Sequence, residues 1–244
     1  MSDKVYEVPA DFASQANINS AQYQEMYRQS VEDPASFWAE QADQYISWFK
    51  KWDKALDWNF SKDDLHIEWF KGAKLNVSYN CLDRHLATRG DQVAIIWEGD
   101  SPDDDRKITY RELHEEVSRF ANVLKERGVK KGDRVSLYLP MIPEAAVAML
   151  ACTRIGAVHS FVFGGFSPDA LRDRIQDSDC QVVITSDQSM RGGKKVPLKK
   201  NADQAISECP NVHTCVVVQR GGEPVEWAEG RDIWYHEAMA NASA

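Results

Sequence analysis

From about residue 76 onward the apolar positions of this chain switch repeatedly between two periods. Short runs rich in β-branched residues, Val93–Trp97, Arg134–Leu139, Val158–Phe163, Gln181–Thr185 and His213–Gln219, read as strands, and Lys107–Thr109 reads as a short strand entering a helix. Thr109 and Glu112 form a T-x-x-E capping box. Leu113, Val117, Phe120, Ala121 and Leu124 then recur at helical spacing up to Gly128. Pro143 opens a helix (AAVAMLACTRI) that ends at Gly156 and is apolar all round, which predicts a buried helix. Ser167-Pro168 caps another helix, and further helices are expected over 77–88 (closed by Gly90), 197–207 and 233–242. DSPDDD after Gly99 and Arg220-Gly-Gly-Glu read as turns. Strands alternating with helices of this length predict an α/β fold: a mostly parallel sheet with helices on both faces. Ligands of such sheets bind outside the carboxyl ends of the strands.

Residues 1–75 are patterned differently and carry five of the eight tryptophans. Ser20 is placed to cap a helix to about Ser30, and Asp33-Pro34 to start the next, because proline fits the first turn and aspartate accepts orphan N–H groups. Phe37, Trp38, Tyr45, Trp48 and Phe49 are expected to pack onto a larger body. This predicts a Trp-rich helical arm over 1–75, followed by a main body over 76–244.

A hydrophobic content of 43% supports a sizeable core, and a formal net charge of −9 argues against nucleic acid or an anionic membrane as a bulk partner. No apolar run reaches 18 residues, and the first residues lack a secretory pattern. The five cysteines form no C-x-x-C pair, so buried reduced thiols in a cytoplasmic protein are expected rather than disulfides or zinc. The six histidines show no metal spacing, and no nucleophile-elbow, zincin or Walker motif occurs. Neither a catalytic residue nor a metal ligand is assigned.

Two segments at strand ends stand out. In Phe163-Gly164-Gly165-Phe166-Ser167-Pro168 a strand runs through two glycines into a capped helix. Such a loop suits either close backbone approach to an anion or a tight turn needing positive φ. In Met190–Lys200, Arg191, Lys194, Lys195, Lys199 and Lys200 crowd into ten residues around Gly192 and Gly193. A guanidinium fork, a point charge and free backbone N–H groups fit a phosphate, and the same run fits a solvated basic turn.

The segments NCLDRHL (80–86), AIIWEGD (94–100), PMIPEAAVAMLACTRIGAVHSFVFGGFSP (140–168) and RGGKKVPLKKN (191–201) resemble the acetyl-CoA synthetase family of AMP-forming acyl-CoA ligases, as does QYQEMYRQSVEDPASFWAE (22–40). Propionyl-CoA and acetoacetyl-CoA synthetases are close relatives, and a non-catalytic module binding CoA or an adenine nucleotide is the alternative for the chain by itself. The resemblance implies a two-step reaction in which acetate and ATP, with Mg, give acetyl-AMP and pyrophosphate, and CoA then takes the acetyl group. It also implies that Phe163, Gly164 and Gly165, and Arg191, Gly192, Gly193 and Lys194, contact CoA. If the family places an arginine at the fourth position of the second loop, Lys194 would hold phosphate with less geometric definition. The resemblance puts the Ser/Thr/Gly-rich ATP loop, the acyl pocket and the catalytic lysine beyond residue 244, so the chain alone is expected to be inactive and to leave a sheet edge or apolar face exposed.

Overall fold

The structure is a computed structural model that describes residues 6–244, the Arg191 side chain excepted. Two compact units divide between Leu75 and Asn76. The first begins with helices α1 (Ala10–Ser14), α2 (Ser20–Glu32) and α3 (Pro34–Tyr45). Asn19, not Ser20, caps α2: its side chain accepts from Gln22 N while the Gln22 side chain accepts from Asn19 N. Asp33 caps α3 by accepting from Ser36 N at 3.1 Å, ahead of Pro34.

The arm is not wholly helical. Strands β1 (Lys54–Asn59) and β2 (His66–Lys71) form an antiparallel hairpin. Leu56 faces Trp69 and Trp58 faces Ile67 across it, so a period of two was present in a stretch expected to be helical arm. Trp48 and Trp52 pack edge-on at 5.2 Å, and both lie against Phe70. Of the aromatic residues expected to be covered, Phe37 is buried, whereas Trp38, Tyr45 and Phe49 are exposed.

The second unit opens with three short turns of helix, α4 (Val77–Cys81), a 3₁₀ turn (Asp83–His85) and α5 (Leu86–Arg89), where one continuous helix was expected. The break is at Leu82, whose backbone leaves the helical region (φ −124°) as its side chain enters the core. Strands β3 (Val93–Glu98) and β4 (Asp105–Thr109) then pair with each other, antiparallel, in a hairpin outside the main sheet. The remaining elements are α6 (Tyr110–Glu126), β5 (Arg134–Leu139), α7 (Pro143–Arg154), β6 (Val158–Phe163), α8 (Pro168–Ser178), β7 (Val182–Ser186), β8 (Ser189–Arg191), β9 (Lys194–Val196), α9 (Leu198–Ile206), β10 (Thr214–Val218), β11 (Asp232–Trp234) and α10 (Tyr235–Asn241).

Five strands in the order β11-β10-β7-β5-β6, all parallel, make the main sheet. Their side chains alternate between two cores. Val135, Leu137, Leu139, Val182, Ile184, Val216 and Val218 meet α6, α7 and α10 on one face. Tyr138, Val183, Cys215 and Val217 meet α8 and α9 on the other. Burial on both faces explains why these strands read as continuous apolar runs. The chain steps from β5 to β6, then crosses back to lay β7 on the other side of β5, so the strand order reverses at the carboxyl end of β5. β6 is an edge strand, and Val158, Phe161 and Phe163 on it are exposed. Four cysteines are buried free thiols, but Cys81 is exposed.

Candidate functional site

Tyr138, fully buried on the central strand β5, shapes the loop after β6. Its hydroxyl donates to the Phe166 carbonyl at 2.7 Å, has the Gly164 carbonyl at 3.3 Å, and accepts from Asn201 Nδ2 on α9 at 3.4 Å. Burial pushes the phenol above its ordinary range, against the pull of the Asn201 amide, so it stays a neutral donor. Gly164 does not adopt the positive φ that a tight turn would have required. A Cβ there would sit 3.4 Å from the Leu139 carbonyl and 3.5 Å from Leu198, ordinary contact distances, so the space around Gly164 does not by itself demand glycine. Ser167 accepts from Ala170 N at 3.3 Å and caps α8 as expected. Phe163 is half exposed at the rim.

The basic segment is a hairpin rather than a loop. β8 and β9 pair through Ser189–Val196, Met190–Lys195 and Arg191–Lys194, and Gly192 (φ 54°) and Gly193 (φ 73°) form the two-residue turn between them. Positive φ at both central positions matches the twist of the flanking strands and favours glycine. Three of the five clustered cations, Lys194, Lys195 and Lys199, meet different surroundings. Lys194 is exposed, and among the described residues it has no ion-pair partner; Lys195 pairs with Glu223. Lys199 is 1% exposed and turned into the protein, with Asp203 at 2.7 Å, Asp232 at 2.8 Å and the Glu226 carbonyl at 3.0 Å. Lys199 is a buried structural charge and is unavailable to a surface anion.

Both segments open on one cleft of about 300 Å³ at the carboxyl ends of β5 and β6, where the strand order reverses. Leu139–Ile142 and Phe163–Gly165 line one side of it, and Met190 and Val196 of the hairpin another. Trp97 and the tip of the β3–β4 hairpin close it, with the indole N–H donating to the Met141 carbonyl at 2.7 Å. Arg220 stacks over Trp97 at 4.9 Å and pairs with Asp104 at 2.9 Å, so DSPDDD is anchored rather than merely solvated.

Asp187, 3% exposed just beyond β7, is a residue that sequence reasoning missed. Its carboxylate accepts from Arg220 N at 2.9 Å, Gly221 N at 2.9 Å and Gly222 N at 2.8 Å, which folds the Arg220-Gly-Gly turn around it. The hint was an aspartate at a strand end together with a glycine pair after β10, 34 and 35 positions on. Only the folded sheet brings the two together. The cleft therefore offers an apolar floor, backbone without side chains at Gly164 and Gly165, Arg220, and Glu98 and Asp100 on its β3–β4 side, and the hairpin lines it through Ser189, Met190 and Val196. Among the described residues no group of three or more His, Cys, Asp or Glu is arranged to hold a metal ion, and no helix is long and apolar enough to cross a membrane.

The chain is 69% identical over its full length to an acetyl-coenzyme A synthetase of Magnetococcus marinus and 62% identical over 98% of its length to that of Halorhodospira halophila. It spans 38% and 37% of the length of these two relatives. Its fold matches the solved acetoacetyl-CoA synthetase of Streptomyces lividans with a TM-score of 0.81 at 26% identity, covering 96% of this chain and 35% of that one. The acetyl-coenzyme A synthetase N-terminus profile matches residues 23–81. Because the AMP-binding enzyme profile matches residues 82–242, well over half of the sequence and all of the parallel sheet, the chain belongs to the AMP-binding enzyme family.

Proposed function

We propose that this chain is the N-terminal portion of an AMP-forming acetyl-CoA synthetase, that residues 76–244 are the first part of its large domain, and that it supplies the CoA-binding face. In the reaction, an acetate oxygen attacks the α-phosphorus of ATP and pyrophosphate leaves; the CoA sulfur then attacks the acetyl carbonyl and AMP leaves. Mg²⁺ enters with the ATP phosphates, whose charge it offsets, and the enzyme works on these small molecules in the cytoplasm, a setting that five unpaired cysteines suit. The observation that carries the reading is the cleft joining Phe163, Gly164 and Gly165 to the β8–β9 hairpin that bears Arg191, Gly192, Gly193 and Lys194. Gly164 and Gly165 would let the ligand lie against backbone, and the cations that the hairpin bears would meet phosphates reaching past Met190 and Val196. An acetoacetyl substrate is the competing reading; the much greater similarity to acetyl-coenzyme A synthetases favours acetate.

The test is a pair of assays on the complete enzyme and on residues 1–244. Acetate-dependent exchange of pyrophosphate into ATP and CoA-dependent acetyl-CoA formation are expected from the complete enzyme, and neither from the 244-residue chain. Gly164→Val in the complete enzyme should raise the KM for CoA. Exchange driven by acetoacetate in preference to acetate, or a Gly164→Val enzyme with an unchanged CoA KM, would count against the substrate or the site respectively.

A further inference from the structure

Tyr138 is costly to place where it stands. A buried hydroxyl needs partners, and a phenylalanine would fill the same apolar space without that requirement. The polar end is nonetheless served on three sides. Tyr138 lies on β5, between β6 and β7. Its hydroxyl reaches the Phe166 and Gly164 carbonyls of the loop that follows β6. From the other direction comes Asn201, on the helix into which the basic hairpin leads through Val196 and Pro197. A phenol has one proton to give and lone pairs to receive, so it can donate to the loop while accepting from α9. The backbone of Tyr138 is tied as well, its carbonyl accepting from Thr185 Oγ1 of β7 at 3.0 Å.

The same two parts also lie close together without any hydrogen bond. Leu198, fully buried at the start of α9, lies where a Gly164 Cβ would come within 3.5 Å of it. The Gly-Gly loop is thus tied to α9 through the polar relay at Tyr138–Asn201, with Leu198 standing close to Gly164. Moving α9, and with it the hairpin, would displace the loop.

We infer that Tyr138, through Asn201, is a positioning residue that fixes the Phe163–Phe166 loop relative to the basic hairpin, so that the two grip one CoA molecule together. The inference rests on the assignment of this cleft to CoA and adds a residue that touches neither the substrate nor the reacting atoms. Its signature is a change confined to the CoA-dependent step.

The experiment is steady-state kinetics of the complete enzyme with Tyr138→Phe, Asn201→Ala, the double variant and Gly164→Val. Losing the hydrogen bond to the loop and the one from α9 should raise the CoA KM of Tyr138→Phe about five- to tenfold, with pyrophosphate exchange within about twofold of wild type. Asn201→Ala should show a smaller rise, and the double variant no more than Tyr138→Phe alone, because one relay is being cut twice. Tyr138→Phe with an unchanged CoA KM, while Gly164→Val raises it, overturns the inference and leaves the CoA assignment standing. An unchanged KM in Gly164→Val overturns the assignment and the inference with it. Equal losses of exchange and acetyl-CoA formation in Tyr138→Phe would mark a purely structural role and also overturn it. Where Tyr138→Phe does not fold, Asn201→Ala decides by the same criteria.

Discussion

The loop after β6 is fixed from beneath by a buried tyrosine hydroxyl, whereas the β8–β9 hairpin stands on three residue pairs, a glycine turn and, among the described residues, an ion pair from Lys195 to Glu223. Both border the same cleft. Shape has to be held to fractions of an ångström, so the wall that a ligand lies against is built into the core. Charge acts over a Debye length of several ångströms, so cations at the rim work without that precision. The difference recurs within the basic segment itself. Lys194 is exposed and Lys199, five residues on, is sealed beneath the surface by two carboxylates.

The largest effect should come from breaking that contrast at its buried end. Lys199→Ala would leave the Asp232 carboxylate, itself fully buried, with Arg231 and the Ala228 N–H as its remaining partners. Breaking one partner of a buried pair costs about 3–5 kcal/mol, and the surviving Arg231 contact places the expected loss near the lower figure. Thermal or denaturant unfolding of the complete enzyme measures it, and a loss below about 0.5 kcal/mol, the usual range for a surface lysine, would return Lys199 to the anion-binding set. The same cluster predicts a pH dependence. Burial pushes the Asp232 carboxyl up, but bonds from Arg231, Lys199 and Ala228 N outweigh it and hold the carboxyl below its usual range. A depressed folded-state value adds stability above the unfolded value near pH 4 and forfeits it as the pH falls through the folded one. Wild type should therefore destabilise more steeply below about pH 4 than Asp232→Asn does, as a pH series of melts would show.

Asp187→Ala is expected next in size. Three backbone N–H groups of Arg220, Gly221 and Gly222 would lose a charged acceptor, at about 2–4 kcal/mol in all. Loosening that turn also frees Arg220 from its place over Trp97 at the cleft mouth, so the CoA KM should rise along with the loss of stability. A stability loss with an unchanged KM would separate the turn from the cleft.

The parallel sheet was legible because its strands are buried on both faces and its helices carry a 3.6-residue period with caps at Thr109 and Ser167. Less legible was anything decided between distant segments. Val93–Trp97 and Lys107–Thr109 read as strands, but nothing local says that they pair with each other instead of joining the main sheet. The hairpin at β1–β2 was hidden by reading its tryptophans as helical bulk, although Leu56 and Trp58 alternate with polar neighbours. At the site, both glycine loops were visible as exceptions to the surrounding pattern, since glycine pairs at strand ends have few uses. The direction of each lysine was not visible. Lys199 sits in a run that looks uniformly solvated, and its partner Asp232 is 33 residues away. Asp187 and Tyr138 were invisible for the same reason: their partners come from other strands' loops.

Arg191 tests the hairpin's share of the grip. It takes the last position of β8, opposite Lys194. Replacing it with alanine should remove one or two charge-assisted bonds to a phosphate, for an expected rise of about 10- to 100-fold in the CoA KM. The neighbouring Lys194 and Lys195 favour the lower end, since they keep part of the positive charge in place. Pyrophosphate exchange, which does not involve CoA, should hardly change. Loss of exchange with an unaltered CoA KM would move the hairpin's role to ATP or to folding.

The smallest effect belongs to Lys194→Ala, and it is the sharpest probe of the comparison because it sets one lysine against another in the same segment. Lys194 is exposed on β9, and its ammonium is a flexible point charge rather than a planar fork. Unfolding stability should stay within about 0.5 kcal/mol of wild type, as for ordinary surface changes. The CoA KM should rise about two- to fivefold, since an exposed charge pair contributes roughly 0.2–1 kcal/mol. That rise should shrink as salt is added, because screening weakens an exposed cation in wild type and has nothing to weaken in the variant. Lys194→Arg should keep or improve the wild-type KM, the fork gaining a second bond to the phosphate. A stability loss comparable to that of Lys199→Ala would erase the distinction between the two lysines. A KM rise that is insensitive to salt would mean that Lys194 acts through the shape of the hairpin and not through its charge.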